Sequence, residues 1–424
     1  MQIFDRIYEI FTSLSLPALL LVGVMTIIGL YAGKSMKWVR MPSIIGFMLV
    51  GVIIGPSLFN ILDEPLQKQL SFITEIALGF VALSIGLELN FKSLKELGAG
   101  IIVIIICESF FAFFAVTAGL FLLTGDLALA LTFGAIAPAS APAGTVAVIQ
   151  EYRAHGSLTK ALYAVVGFDD GLGIIIFGFV AAFVRRMIVS DPAGGAPSIL
   201  ATIMLPLKEV GLSVLVGSVA AFFFSMLFKK LKSARDIFIL IFASVLIITG
   251  ISTRLHLSLI LTNMVYGIVL VNTQRHTVLQ KMRDELSDAM PLFFVLFFTL
   301  AGSNLHVLAL PSLGLVGMVY IVARTSGLMG GAWFGSLVGR SEKKIRRYLG
   351  MGILSQAGVA IGLALIVKQE FGTLGGEGAR IGSAVITSIT ATCIFFEILG
   401  PILTKIGLKR AGEIQADQDQ QEGF

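Results

Sequence analysis

Thirteen apolar runs follow one another along this chain, at 14–33, 41–59, 70–90, 98–124, 127–150, 158–187, 205–228, 236–252, 256–272, 289–308, 312–338, 346–368 and 380–406. Runs near 20 residues match the roughly 30 Å apolar core of a bilayer. Lipid offers no hydrogen bonds, so every backbone N–H and C=O must be satisfied within its own segment, and a helix does that. The chain is therefore expected to be an all-α polytopic membrane protein with 13 transmembrane helices. Its makeup agrees: 56% of residues are hydrophobic and 13% charged, too few polar groups to clothe a soluble domain. The loops are short, so no soluble domain interrupts the bundle. The first run lacks a basic start and a small-residue cleavage site, so it is not read as a cleavable signal. The tail from Gly412, GEIQADQDQQEGF, is polar and acidic and is expected to be disordered.

A net charge of +5 does not make this a nucleic-acid binder, because the basic residues are scattered through loops instead of forming a patch. Their distribution is a topology signal. Most of the 31 Lys and Arg fall in alternate loops, beginning with Lys34, Lys37 and Arg40 and ending with Lys405, Lys409 and Arg410. The other loops hold only Arg6, Lys68, Arg185, Arg186, Lys208, Arg254, Lys368 and Arg380. Positive loops stay in the cytoplasm. The N-terminus is thus expected outside and the C-terminus in the cytoplasm, in the cell (inner) membrane. Cys107 and Cys393 both fall inside apolar runs and read as packing residues.

The chain repeats itself. A shift of 216 residues lays Gly51 on Gly267, Gly86 on Gly302, Gly134 on Gly350 and Glu108 on Arg324. Spans one to six then pair with eight to thirteen, and the seventh is a linker. Seven crossings separate the partners, an odd number, so the two six-helix repeats are inverted, as in many secondary transporters.

Two of the spans carry helix breakers at matching places. The fifth reads GAIAPASAPAGTVAV, with Pro138 and Pro142 four apart; the twelfth reads GMGILSQAGVAIG, with Ser355, Gln356 and Gly358 aligned on it. Proline removes a backbone donor and clashes with the preceding turn, so the fifth helix is expected to unwind near Ser140. Unwound backbone at membrane depth is tolerated where protein buries it or where it lines a cavity. Both spans are therefore expected to be broken helices that cross.

Asp169 and Asp170 interrupt the sixth run, LTKALYAVVGFDDGLGIIIFGFVAAFVRRM. At 1.5 Å per residue they lie about 17 Å deep, near the bilayer midplane. A carboxylate there costs at least about 3 kcal/mol, so such a pair marks a functional site that alternately holds a proton and a small cation. Adjacent helical residues diverge by about 100°, so one acid faces a cavity and its neighbour is held by surrounding groups. Glu108 and Arg324, mid-span and equivalent under the repeat, are expected to meet as an ion pair that ties the repeats together. Glu75, Glu397 and Lys405 read as residues at or near span ends, and His155, His256, His276 and His306 lie near loops. No clustered ligand set suggests a metal site, and no cofactor is implied. An intramembrane aspartyl protease would need its acids to face each other across a water, which adjacent residues on one helix do not do.

In these residues the chain resembles the monovalent cation/proton antiporter superfamily, the sodium/proton exchanger fold. The marks are GLEL (Gly86–Leu89), GAIAPASAP, FDDG (Phe168–Gly171), VAR (Val322–Arg324), LSQAGVAIGLAL (Leu354–Leu365) and FEILGPILTKIGL (Phe396–Leu408), in order across nearly the whole chain. The resemblance implies a non-enzymatic secondary transporter that exchanges a monovalent cation, sodium first, with potassium or lithium as alternatives, for protons. It implies a homodimer working by elevator-type alternating access. Scaffold helices would occupy 1–97 and 235–310, core helices 98–190 and 311–410, a linker helix 191–234 and a cytoplasmic tail 411–424. By the same resemblance Asp170 is the acid that binds the ion and carries the proton, beside Asp169. Many relatives have Thr-Asp-Pro at the first crossing where this chain has Ser140-Ala141-Pro142, which leaves Ser140 and nearby carbonyls as the remaining oxygen ligands. That missing acid keeps a second expectation open, a cation channel or non-transporting membrane sensor on the same fold.

Overall fold

A computed structural model describes residues 17–36, 38–39, 41–91, 98–188, 199–231, 233–255, 257–305 and 314–414. His256, His306, residues 1–16 of the expected N-terminal scaffold segment, and 415–424 of the expected tail lie outside the described residues. Among the described residues every regular element is helical. The helices are α1 (Ala18–Met36), α2 (Ser43–Ile54), α3 (Glu64–Glu88), α4 (Gly100–Thr124), α5 (Leu127–Ile136), α6 (Pro142–Glu151), α7 (Ser157–Ile188), α8 (Ile199–Phe228), α9 (Ala234–Arg254), α10 (Leu259–Thr273), α11 (His276–Ser303), α12 (Gly314–Val338), α13 (Lys343–Tyr348), α14 (Gly358–Gly372) and α15 (Gly376–Ala411). Nine of these are long and apolar enough to cross a membrane, and α2, α5 and α10 are shorter apolar helices. The molecule is a multi-pass membrane protein. Its helices follow the expected spans in order, with the fifth and twelfth each split into two pieces.

The packing separates two groups of helices. In one, α2 packs on α1 and α11, and α3 on α9, α10 and α11. In the other, α4 packs on α5, α7 and α12, while α15 packs on α6, α12 and α14. Helix α8 bridges them, lying on α7 and α10.

The inverted repeat is visible in backbone contacts. A Cβ built on Gly86 would stand 2.8 Å from Gly267 Cα, and one on Gly267 would stand 2.9 Å from Gly86 Cα. The same closeness joins Gly51 to Gly302: a Cβ on Gly51 would lie 2.9 Å from the Gly302 carbonyl carbon, and one on Gly302 would lie 2.8 Å from Met48 Cα. The shift of 216 turns the first contact into the second, with the partners exchanged. That exchange is what a two-fold axis between inverted copies demands. In lipid, helices gain little from burying apolar surface against each other, so small residues that let backbones touch do the packing.

A longer such seam joins α4 to α12. Gly327, Gly331, Gly335 and Gly339 recur every fourth residue and so lie in one stripe. Cβ atoms built on them would stand 2.7, 2.5, 2.7 and 2.6 Å from the Cα atoms of Ala112, Glu108, Ile104 and Gly100. The partner numbers fall as the glycine numbers rise, so the helices run antiparallel.

Helix α7, which carries the acid pair, is held at its first turn from the far end of the chain. Glu413 is 6% exposed. Its carboxylate accepts hydrogen bonds from the N–H groups of Leu158 (2.8 Å) and Thr159 (2.7 Å) and from the Thr159 hydroxyl (2.7 Å). The first N–H groups of a helix have no partner within it, and a carboxylate there also meets the positive end of the helix dipole. The tail expected to be loose from Gly412 is thus tied down at Glu413, because its acid answers a need of α7.

Gly331→Val puts a branched side chain where the two backbones touch, and overpacking of this kind costs about 1–3 kcal/mol. Its melting temperature in detergent should fall by several degrees, whereas Gly330→Ala, with open space beside it, should leave the midpoint unchanged. Glu413→Ala should cost about 1 kcal/mol through the lost cap, read as faster amide exchange at residues 158–160.

Candidate functional site

Pro138 and Pro142 break the fifth span as expected. Helix α5 ends at Ile136, residues 139–141 are not helical, and α6 restarts with Pro142 in its first turn. The twelfth span breaks in the matching place. A short 3-10 turn, Leu349–Met351, ends α13, residues 354–357 are not helical, and α14 starts at Gly358. The two breaks bond to each other: the Ala141 N–H donates to the Ser355 carbonyl at 2.8 Å, and, just beside them, the Thr145 hydroxyl of α6 donates to the Gly352 carbonyl at 2.7 Å.

Arg324 of α12 reaches into this crossing, fully buried. Its Nε donates to the Ala137 carbonyl (2.9 Å), Nη2 to Ala139 (3.0 Å) and Nη1 to Leu354 (2.8 Å). These carbonyls lie just past the ends of α5 and α13, where peptide groups run out of helical partners and the dipole end is negative. The Phe396 ring of α15 lies 4.4 Å from the guanidinium carbon and closes its other face. Gln356 completes the set, donating to the Tyr320 hydroxyl at 2.9 Å.

The expected ion pair between Glu108 and Arg324 is not formed. The glycine seam sets the register, placing Glu108 against Gly331, seven residues or about 10 Å along α12 from Arg324. Arg324 is spent on backbone carbonyls. Glu108 Oε1 accepts from the Ser109 hydroxyl at 2.8 Å, and its buried Oε2 has no hydrogen-bond partner. Glu397 also differs from expectation. It lies in the middle of α15, 7% exposed, because α15 runs unbroken for 36 residues and its acid is nowhere near a span end. Lys405 is likewise buried, its Nζ 4.5 Å from the Tyr152 ring centroid.

Asp169 and Asp170 sit on α7 where it passes the crossing. One turn beyond Asp169, a Cβ on Gly173 would lie 3.5 Å from Ala139 N and 3.8 Å from Pro138 Cβ. On its other side α7 meets the first group of helices: a Cβ on Gly167 would lie 2.9 Å from Met264 Sδ and 3.1 Å from the Ile85 side chain. The two acids are treated differently. Asp169, fully buried, accepts from the Ser140 hydroxyl on Oδ2 (2.5 Å) and from the Asp170 N–H on Oδ1 (2.8 Å). Asp170 is 6% exposed, and neither of its carboxylate oxygens has a hydrogen-bond partner in the protein. Asp169, Ser140, Pro138, Pro142, Ser355, Gln356 and Arg324 are thus brought together around one crossing, with Asp170 beside it. Glu108 stays on the α4–α12 seam. Sequence reasoning passed over Tyr320 and Phe396, although Tyr320 stands one turn before Arg324 on the same face. It also passed over the glycine stripe, whose four-residue spacing was in plain view.

Residues 22–409 match the model of the family described as the sodium/hydrogen exchanger, transmembrane. The chain belongs to this family of monovalent cation/proton antiporters. It is 26% identical over 336 residues to the ammonium/H+ antiporter subunit AmhT of Alkalihalophilus pseudofirmus, covering 76% of this chain and 80% of that one. It is 25% identical over 324 residues to the high-affinity Na+/H+ antiporter NhaS3 of Synechocystis, covering 75% and 66% respectively. The fold matches that of the sodium proton antiporter MjNhaP1 of Methanocaldococcus jannaschii with a TM-score of 0.66 at 17% identity, over 93% of this chain and 98% of the other.

Arg324→Ala takes the donor from the Ala137 and Leu354 carbonyls and leaves Ala139 with only a long bond from Gln356 (3.4 Å), at about 1–3 kcal/mol for each carbonyl left unsatisfied before relaxation. It should lower the melting temperature in detergent far more than Arg324→Lys, which keeps a charge and some of the bonds.

Proposed function

We propose that this exchanger-family member carries a monovalent cation against protons across the cell membrane. Sodium is the first candidate, with potassium and lithium next; the AmhT relative adds ammonium to the set. The observation that carries the reading is Asp170: a carboxyl group beside two unwound helices, buried, with both oxygens unclaimed by the protein. A proton or a small cation satisfies such a group equally, and the two exclude each other. Asp169 and Ser140 hold the neighbouring geometry, and the Ala141 and Ser355 backbones keep the crossing together. With either ligand the site moves as a less charged unit; empty and ionised, it meets a desolvation barrier in lipid, which suppresses leak.

The movement we propose is an elevator in which the α4–α7 and α12–α15 group slides along a scaffold of α1–α3 and α9–α11. The scaffold pairs with a second copy in a homodimer. The basic loops face the cytoplasm, leaving the N-terminus outside. Membership of the sodium/hydrogen exchanger family and the fold shared with the antiporter MjNhaP1 favour exchange over the channel or sensor reading.

Asp170→Asn keeps the shape and removes the ionisable group. In proteoliposomes with an imposed pH gradient, cation-driven proton flux should fall at least a hundredfold in this variant, with sodium, potassium, lithium and ammonium tested in turn on the parent protein. Exchange at the parent rate in Asp170→Asn would overturn the assignment. Cation current without proton movement would move the protein to the channel reading.

A further inference from the structure

Helix α2 lacks a cap of its own. Its N-cap residue is Pro42, which has no side-chain hydrogen bond to give, and the first N–H of the helix belongs to Ser43. The missing acceptor comes from the other helix group. Glu151, the last residue of α6, takes the Ser43 N–H on both carboxylate oxygens (3.0 and 2.9 Å) and the Ser43 hydroxyl on Oε1 (2.7 Å). One residue earlier, Gln150 donates to the Ser84 hydroxyl of α3 at 3.0 Å. Both bonds cross from the group that holds the acid pair to the group that does not. They lie at the end of the molecule that carries Lys34 in the last turn of α1, Arg153 after α6 and Lys160 in the first turn of α7.

The same helix touches the ion site at its other end. Helix α6 begins at Pro142, two residues after the Ser140 whose hydroxyl bonds Asp169, and Ala141 is pinned to Ser355. Ten helical residues form a stiff rod of about 15 Å. A displacement of the crossing is therefore carried to Glu151, and the contact at Glu151 restrains the crossing. Between the two ends, α7 presents Leu158, Leu162 and Val165, all fully packed.

We propose that Glu151, seconded by Gln150, is the latch that closes the transporter at its basic-loop end, and that the transport cycle requires this cap on α2 to break and re-form. The carboxylate suits the task. It makes three short bonds to a helix start, where negative charge is favoured. Breaking them leaves α2 with an unpaired N–H and Glu151 at the unfavourable negative end of its own helix, so the open state is costly but accessible.

The proposal rests on the antiport reading and is tested apart from it. Ser43→Cys and Glu151→Cys are combined in a Cys107→Ala, Cys393→Ala background and reconstituted. The pair is bridged with a short bis-methanethiosulfonate reagent, and sodium-driven proton flux is measured before bridging, after bridging and after reduction. We expect flux to drop at least tenfold on bridging and to return on reduction, with each single-cysteine protein unaffected by the reagent. Sodium should still raise the melting temperature of the bridged protein, because the site is intact behind a fixed latch. Full flux through the bridged protein would overturn the latch while leaving the antiport reading standing; absence of flux in the parent protein would remove both. A second measurement separates gating from simple capping. Glu151→Gln, which keeps acceptor oxygen but loses charge, should change the half-saturating sodium concentration at least threefold and Glu151→Ala further. A change in melting temperature alone, with the sodium dependence untouched, would reduce Glu151 to a structural cap.

Discussion

One guanidinium holds the centre of this molecule. Two helices break at membrane depth, and each break strips carbonyls of their helical donors in a place where water is scarce. Arg324 gives those carbonyls three short hydrogen bonds, drawing from both breaks at once. A charge buried this deeply is expensive by itself. It is compensated here by the negative ends of two helices and by an aromatic face, rather than by a carboxylate. The glycine seam holds Glu108 two turns along α12 from Arg324, so the two do not meet as an ion pair.

The acid pair shows how neighbouring residues of identical type acquire different roles. Helical rotation points them apart, and the surroundings complete the distinction. Asp169 accepts the Ser140 hydroxyl and is bound on both oxygens; neither oxygen of Asp170 meets a side-chain or backbone donor in hydrogen-bond geometry. The first stiffens the crossing, and the second is the group proposed to trade a proton for a cation. Helix α7 carries both, with the crossing on one side and the partner helix group on the other. An ion at Asp170 is thus sensed by both halves of the machine proposed here.

Close backbone contact substitutes for hydrophobic drive throughout the bundle. The Gly51–Gly302 and Gly86–Gly267 contacts relate the two repeats, and the stripe from Gly327 to Gly339 locks α12 to α4 in a single register. Registers of this kind are stiff, since any side chain at the contact would collide with main chain. Between the two groups of helices the contacts include the polar bonds of Glu151 and Gln150 to α2 and α3 and the close approach of α7 at Gly167 to Met264 and Ile85.

Much was legible from residue order alone. Apolar run length and the lipid's lack of hydrogen bonds dictated helices, Pro138 and Pro142 dictated a break near Ser140, and a constant offset revealed the inverted copies. The deep Asp169–Asp170 pair declared itself by its cost in lipid. Tertiary structure alone decided which groups meet. The shift that aligns Glu108 with Arg324 describes symmetry of position, but contact depends on helix register, and the glycine seam sets that register two turns away. Likewise no local pattern reveals that Glu413 caps α7 or that Glu151 caps α2. Such bonds join residues hundreds or a hundred positions apart, and they exist because a helix start is an unsatisfied donor wherever the fold happens to place it beside an acid.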